Sequence, residues 1–261
     1  MIGPTPLLDF FKRGEVGRDV RLLAARGVLA PRAHEQLEIL ALLLEDSDAE
    51  VRETADQTLA RIPREALEAF LSRSDVGIGL REFFADRGIF PAQIPKIELP
   101  EDDPIIEADA GDGETFEEES DGSRESVVQR IAQMGFTQRL RAAVKGTREM
   151  RSILIRDPNK MIAASVLSSP KVSEPEIESF ARMANVSEDV LRIIGSNRAW
   201  MKNYGIVVGL TKNPKTPIGM SLNLISRLND RDLTMLSVDR NVPEPLRVAA
   251  RKRVTQGAGR G

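Results

Sequence analysis

Hydrophobic residues recur along most of this chain at intervals of three and four positions, the spacing that places them on one face of an α-helix. Two such faces lie close to the N-terminus: Leu37, Leu40, Leu43 and Leu44, followed by Val51, Ala55, Leu59 and Ile62. No sustained stretch alternates apolar and polar residues with the period of two that a half-buried strand requires. The pattern therefore predicts an all-α protein.

Residues that typically cap helices occur at short intervals in the C-terminal half of the chain. Ser173 and Glu176 have the spacing of a capping box, and Thr147 and Ser187 each stand where a helix is expected to begin. These signals predict short helices of roughly two to four turns, joined by tight turns.

The C-terminal half also contains an internal repeat. Residues 150–158 align with residues 190–198, forty positions later, and these align with residues 233–241 after a further forty-three. A period near forty that holds two or three helices is typical of α-solenoids. Each unit of such a fold is too small to bury its own apolar face, so neighbouring units supply the core by stacking.

Over residues 31–87 and 137–253 the chain resembles proteins built from armadillo and HEAT repeats. The motif KNPKTP, residues 212–217, resembles the leucine-rich-repeat-variant relatives, and the chain is also similar to a group of uncharacterised bacterial repeat proteins. The resemblance implies two short α-solenoid domains of the HEAT or armadillo kind. Repeat variants that carry an iron–sulfur cluster hold it with cysteines, and this chain has none, so that cofactor is excluded.

Charge divides the chain into segments of different character. Residues 1–95 carry a net charge of −4, residues 96–125 carry −11 and residues 126–261 carry +12. We expect an N-terminal helical domain over 1–95, an acidic disordered linker over 96–125, a basic helical repeat domain over 126–254 and a disordered tail over 255–261.

The acidic linker has two interpretations. Its like charges repel and its apolar content is low, which favours a solvated spacer. Alternatively, residues 98–121 contact the basic domain as a tethered pseudo-ligand, because a tether gives such a segment a high effective concentration.

The sequence contains few of the residues and none of the motifs that commonly carry out catalysis. It has no cysteine and one histidine, His34, and it contains no phosphate-binding loop, dinucleotide fingerprint or metal-binding histidine pair. We therefore expect no enzyme activity, no catalytic residues, no cofactor and no metal. The longest apolar run, residues 39–44, is far too short to cross a membrane, and the chain begins without a secretory signal, so we expect a cytoplasmic protein that does not enter membranes.

The repeated turns combine basic residues with Asn, and Trp200 and Tyr204, the only Trp and Tyr, lie among them. Stacked turns would align these cations along one edge, as a binding surface for a partner. The alternative is structural: Asn and Pro end helices, Lys and Arg keep the turns solvated, and Trp200 packs in the core. The candidate partner-binding residues are Arg156, Asn159, Lys160, Asn197, Arg198, Trp200, Lys202, Tyr204, Lys212, Asn213, Lys215, Arg240 and Asn241.

We accordingly expect a non-enzymatic adaptor or scaffold that presents a basic solenoid edge to an acidic protein partner. The alternative is nucleic-acid binding by the basic C-terminal repeat domain, for which its net charge of +12 provides the electrostatic attraction.

Overall fold

The computed structural model describes residues 5–30, 32–93, 103–106 and 124–258. Within these ranges the protein is helical throughout, with sixteen α-helices, two short 3-10 helices and no β-strand. The predicted all-α class is therefore confirmed. None of the described helices combines the length and the apolar character that a membrane span requires.

The chain divides into two compact units. The first unit is Met1–Arg151 with Leu167–Pro170, and the second is Ser152–Val166 with Lys171–Gly261. The division lies between residues 151 and 152, whereas the charge pattern predicts that the basic domain begins at residue 126.

The first unit contains six helices before the acidic segment and, among the described residues, two complete helices that begin at its end or after it. They are α1 (Pro6–Lys12), α2 (Arg18–Ala25), α3 (Ala33–Leu43), α4 (Ala49–Ala60), α5 (Arg64–Leu71), α6 (Ile78–Ala85), α7 (Arg124–Gln133) and α8 (Phe136–Lys145). Helix α3 packs against α1, α2, α4 and α6, so it is central to this unit. Its predicted apolar face is buried at Leu37, Leu40 and Leu43, and Val51 and Ala55 of α4 are buried as well. This burial confirms the hydrophobic periodicity as the source of the core.

The second unit contains shorter helices. Helix α9 (Arg148–Leu154) begins in the first unit and ends in the second. It is followed by α10 (Lys160–Val166), α11 (Glu174–Arg182), α12 (Glu188–Ser196), α13 (Tyr204–Lys212), α14 (Ile218–Leu224), α15 (Asp230–Val238) and α16 (Glu244–Ala258). The 3-10 helices Trp200–Lys202 and Ile225–Arg227 precede α13 and α15. Helix α16 continues to Ala258, so helical structure extends beyond residue 255, where the predicted tail begins.

The predicted helix starts are found in place. The backbone N–H of Ser173 donates to the Glu176 carboxylate at 3.1 Å, which completes the N-terminal side of α11. The hydroxyls of Ser187 and Thr147 accept from the N–H groups three residues later, at the starts of α12 and α9. These caps satisfy amides that a helix leaves unpaired at its first turn.

Helices α11 and α13 lie side by side and run in the same direction. The side-chain amide of Asn203, at the N-terminal end of α13, donates to the Glu174 carboxylate at the start of α11 (3.1 Å). At the opposite end, the Asn213 amide donates to the carbonyl of Ala181 near the end of α11 (2.8 Å). Gly209 permits this close packing, since a Cβ at that position would lie 3.2 Å from the Cβ of Ala181.

Helices α10 and α12 are arranged similarly. They pack against each other, and Lys160 at the start of α10 forms an ion pair with Asp189 at the start of α12 (2.9 Å). The N-terminal ends of these two helices therefore lie together.

The predicted acidic linker, residues 96–125, lies largely outside the described residues. Helix α7 begins at Arg124, at the end of that range. Residues 103–106 are described, and their backbone contacts Ala33 and Gln36 of α3 in the first unit. The rest of residues 98–121, for which contact with the basic domain is a hypothesis, is outside the described residues.

Candidate binding surface

Two of the candidate asparagines are helix caps. The Asn159 Oδ1 accepts from the N–H of Met161 at 2.9 Å at the start of α10. The Asn197 Oδ1 accepts from the N–H of Ala199 at 2.9 Å, just before the 3-10 helix Trp200–Lys202. Both side chains satisfy backbone amides of their own turn, which is the structural interpretation of these residues.

Asn213 is buried and joins two parts of the second unit, while Asn241 is exposed. Asn213 is buried, and its amide donates to the carbonyls of Ala181 and Met183 at 2.8 and 3.0 Å. Asn241 lies in the turn between α15 and α16, where its backbone N–H donates to the Asp239 carboxylate at 2.9 Å. Asn213 is therefore a packing residue of the second unit.

Three of the basic candidates are engaged in contacts within the unit. Lys160 forms the ion pair with Asp189 described above, although most of its side chain is exposed to solvent. The ammonium of Lys212 lies 2.8 Å from the Asp232 carboxylate, and both side chains are partly buried. The guanidinium of Arg156 donates to the backbone carbonyl of Ser152 at 3.2 Å.

Tyr204 belongs to the same cluster as Lys212. Its hydroxyl donates to the Asp232 carboxylate at 2.7 Å and accepts from the backbone N–H of Asn229 at 3.1 Å. Lys212 and then Tyr204 hold the pKa of Asp232 below its ordinary value, and partial burial raises the pKa of Tyr204. Asp232 gave no signal in the sequence, because it lies twenty or more positions from both partners.

Four basic candidates remain exposed, and their side chains make no hydrogen bond or ion pair within the described part of the chain: Arg198, Lys202, Lys215 and Arg240. Arg198 and Lys202 lie on either side of Trp200, in the connection between α12 and α13. Trp200 is half-buried, and its backbone N–H donates to Asn197. Lys215 and Arg240 lie in two other turns, after α13 and after α15.

Two groups of candidate residues lie at the two ends of helix α13. The group from Asn197 to Tyr204 precedes α13, and the group from Lys212 to Lys215 follows it, about 12 Å further along a nine-residue helix. Lys160 lies beside the start of α12, to which its ion pair with Asp189 joins it. Helix α12 follows the end of α11, and Asn213 contacts that same end of α11. The group around Trp200 and the group around Lys215 therefore lie at opposite ends of α13.

The first unit contains a buried polar pair that the sequence did not indicate. Glu35 and Gln36 lie in the first turn of α3, and both are buried. The Glu35 carboxylate has no hydrogen-bond partner among the described residues, and burial raises its pKa to about 8. Polar residues in the first turn of a helix are ordinarily exposed, so nothing in the sequence indicated the burial of Glu35 and Gln36 beyond their position beside the apolar Leu37. Among the described residues no group of His, Asp and Glu has an arrangement that could hold a metal ion.

Comparisons with protein-family models, with curated proteins and with solved structures each found no match to this chain.

Proposed function

We propose that the second unit is a short α-solenoid that acts as a non-enzymatic protein-interaction module. Its binding surface is the Trp200 platform, which we define as Arg198, Trp200 and Lys202. The partner is an acidic protein segment that carries an apolar side chain for Trp200.

Helix packing within the second unit supports the solenoid. Helix α11 runs in the direction of α13, and α10 and α12 have their N-terminal ends together. Alternate helices that stack in this way are the characteristic arrangement of helical repeats. Such stacks present their connections as accessible edges, which suits binding to a partner better than enclosing a substrate.

One observation carries the choice of the Trp200 platform. Of the candidate cations, Arg198 and Lys202 are the two that are exposed, whose side chains make no hydrogen bond or ion pair among the described residues, and that lie within two positions of a half-buried tryptophan. Trp and Arg are enriched among residues that contribute most to protein binding. Cations around such an aromatic side chain favour acidic partners by raising the association rate and penalising positively charged competitors.

The test uses the full chain and a fluorescein-labelled poly-glutamate peptide with a central Leu-Phe pair. We expect binding that is weakened at least roughly tenfold by Arg198→Glu with Lys202→Glu, because each reversal replaces an attraction by a repulsion. The matched control, Lys215→Glu with Arg240→Glu, changes the net charge equally but lies away from Trp200, and it should weaken binding much less. Trp200→Ala should also weaken binding while the helical circular dichroism is retained.

The outcomes separate the alternatives. Equal losses in the two charge-reversal variants, or no peptide binding at low salt, would overturn the proposed platform. A generic DNA duplex serves as the second probe at two salt concentrations. Tighter binding of the duplex than of the peptide, with a steep salt dependence, would replace the proposal by nucleic-acid binding.

A further inference from the structure

A short piece of the acidic segment is bound to the first unit. We call residues Asp103–Ile106 the strap. The N–H of Ala33, at the start of α3, donates to the carbonyl of Asp103 at 2.9 Å. The side chain of Gln36, one turn later, contacts the other end of the strap, so the strap lies across the N-terminal turn of α3.

The Gln36 amide binds the strap entirely through the strap's backbone. Its Oε1 accepts from the N–H groups of Ile105 and Ile106, at 2.9 and 3.1 Å. Its Nε2 donates to the carbonyl of Ile106 at 2.6 Å and lies 3.5 Å from the carbonyl of Gly27. One buried side chain therefore provides both the acceptor and the donor for a short, bent stretch of peptide backbone.

With the strap in place, the polar groups of the Gln36 side chain have hydrogen-bond partners. Gln36 is almost fully buried, and departure of the strap would leave its oxygen without either of its two donors. A buried amide without partners is destabilising, so the site favours any backbone that restores these bonds. Gly27, whose carbonyl faces the Gln36 amide, adopts a positive φ of 80°, a conformation that favours glycine.

We propose that Ala33 N–H and the Gln36 side chain form a peptide-binding site, here called the amide site, which the strap occupies in the absence of a competing ligand. The ligand class is a short peptide that adopts the bend of the strap, with two consecutive β-branched residues after an Asp-Pro pair, and the strap itself is the occupant. This site is in the first unit and does not depend on the proposed role of the Trp200 platform.

The strap's contacts are those of an exchangeable ligand. Among the described residues, four hydrogen bonds join it to Ala33 and Gln36, and Pro104, Ile105 and Ile106 are only half-buried. A tethered segment can occupy such a site because the covalent tether gives it a high effective concentration. A peptide of the same class therefore competes once the strap is weakened.

Amide exchange of the full chain is the first measurement. The amides of Ile105 and Ile106 should exchange much more slowly than those of the neighbouring residues of the acidic segment, because both donate to Gln36. Gln36→Met keeps the size of the side chain but removes both polar groups, and it should abolish the protection. Unprotected amides in the natural chain would overturn the proposal.

Peptide binding in trans is the second measurement. In the full chain, Ile105→Pro with Ile106→Pro removes both N–H donors and vacates the amide site. A labelled peptide with the sequence of residues 99–110 should bind this variant roughly tenfold or more tightly than it binds the natural chain, in which the tethered strap competes. The same peptide with both isoleucines replaced by proline is the matched control, since it keeps every charge, and it should not bind.

These controls separate the amide site from the basic surface of the second unit. Equal binding of the two peptides, or equal binding to the natural and vacated chains, would show charge-driven binding elsewhere and would overturn the proposal. Arg198→Glu with Lys202→Glu should leave the peptide affinity of the vacated chain unchanged. Because the peptide comparison needs no change in the first unit's helices, its result is independent of whether Gln36→Met folds.

Discussion

Tyr204 donates a hydrogen bond to Asp232 across 28 positions of sequence, with 2.7 Å between the Tyr204 Oη and the Asp232 Oδ2. The other oxygen of the same carboxylate receives the ammonium of Lys212 at 2.8 Å. One carboxylate near the start of α15 therefore binds residues from both ends of α13. These bonds link Tyr204 and Lys212 to α15 within the second unit, although the Tyr204 side chain is exposed.

Tyr204→Phe removes a hydrogen-bond donor to Asp232 and an acceptor from the Asn229 amide. We expect a loss of about 1 kcal/mol in the free energy of unfolding, which is the typical net value of such bonds. Thermal unfolding should show a melting temperature lower by roughly 2–4 °C. In an Asp232→Asn background the same change should cost less, because the charged partner is gone. An equal cost in both backgrounds would mean that the pair does not contribute.

Asn213→Asp should destabilise the second unit, whereas Asn159→Asp should not. The Asn213 amide donates to two carbonyls, and a carboxylate in its place would face both oxygens without a proton to donate. We expect a loss of about 2–3 kcal/mol, measured by urea unfolding. Asn159 only accepts from backbone N–H groups, so aspartate at position 159 caps equally well and gains from the helix dipole. Equal effects of the two substitutions would contradict the assigned roles.

Two glycine-to-alanine changes should have opposite signs. A Cβ at Gly209 would lie 3.1 Å from the Arg182 Cγ and 3.2 Å from the Ala181 Cβ, so Gly209→Ala separates α11 from α13. We expect a net loss of about 1 kcal/mol, since overpacking outweighs the better helix propensity of alanine. Gly219 in α14 has open space around it, and Gly219→Ala should raise stability by roughly 0.5–1 kcal/mol. Chemical denaturation of both variants checks this pair, and a stabilised Gly209→Ala protein would contradict the close packing of the helices.

The stability of the first unit should fall as the pH rises from about 4.5 to about 8. Burial raises the pKa of Glu35 to about 8 in the folded state, compared with an ordinary value of 4.5. Within that window the unfolded chain ionises Glu35 while the folded chain keeps it protonated, so ionisation favours unfolding. Glu35→Gln should remove this dependence and stabilise the protein at pH 8, by about 5 kcal/mol at most. Denaturant unfolding at a series of pH values measures the slope.

Glu38 provides the internal control for that experiment. Hydrogen bonding from His34, together with Lys12, lowers the pKa of Glu38 to about 2. Its contribution to stability is present above pH 4.5 and is lost as the pH falls toward 2, so its window does not overlap that of Glu35. Glu38→Gln should therefore lower the stability above pH 4.5 and remove the slope on the acid side, while most of the fall between pH 4.5 and 8 remains. A profile between pH 4.5 and 8 that is the same with and without Glu35 would contradict the buried, unpaired carboxyl.

Much of the secondary structure could be predicted from local pattern. The apolar spacing at Leu37, Leu40 and Val51 predicted buried helix faces, and Ser173 with Glu176 predicted a helix start. Such signals depend on contacts within one or two turns, which the order of residues specifies directly. The hydrogen-bond partners of the asparagines in the turns could not be predicted. An asparagine that caps its own turn, such as Asn159, and one that bonds to a neighbouring helix, such as Asn213, look alike in sequence.

The sequence by itself determined the helical class, the apolar faces, the caps and the strongly acidic middle segment, since each follows from residues close together in the chain. Tertiary structure decided which polar groups meet: Asp232 with Tyr204 and Lys212, Asn213 with the end of α11, and Gln36 with the strap. It also divided the candidate cations between the two ends of α13 and left Arg198 and Lys202 exposed beside Trp200. Those outcomes depend on the direction and packing of whole helices, and that information is spread over partners twenty to seventy positions apart.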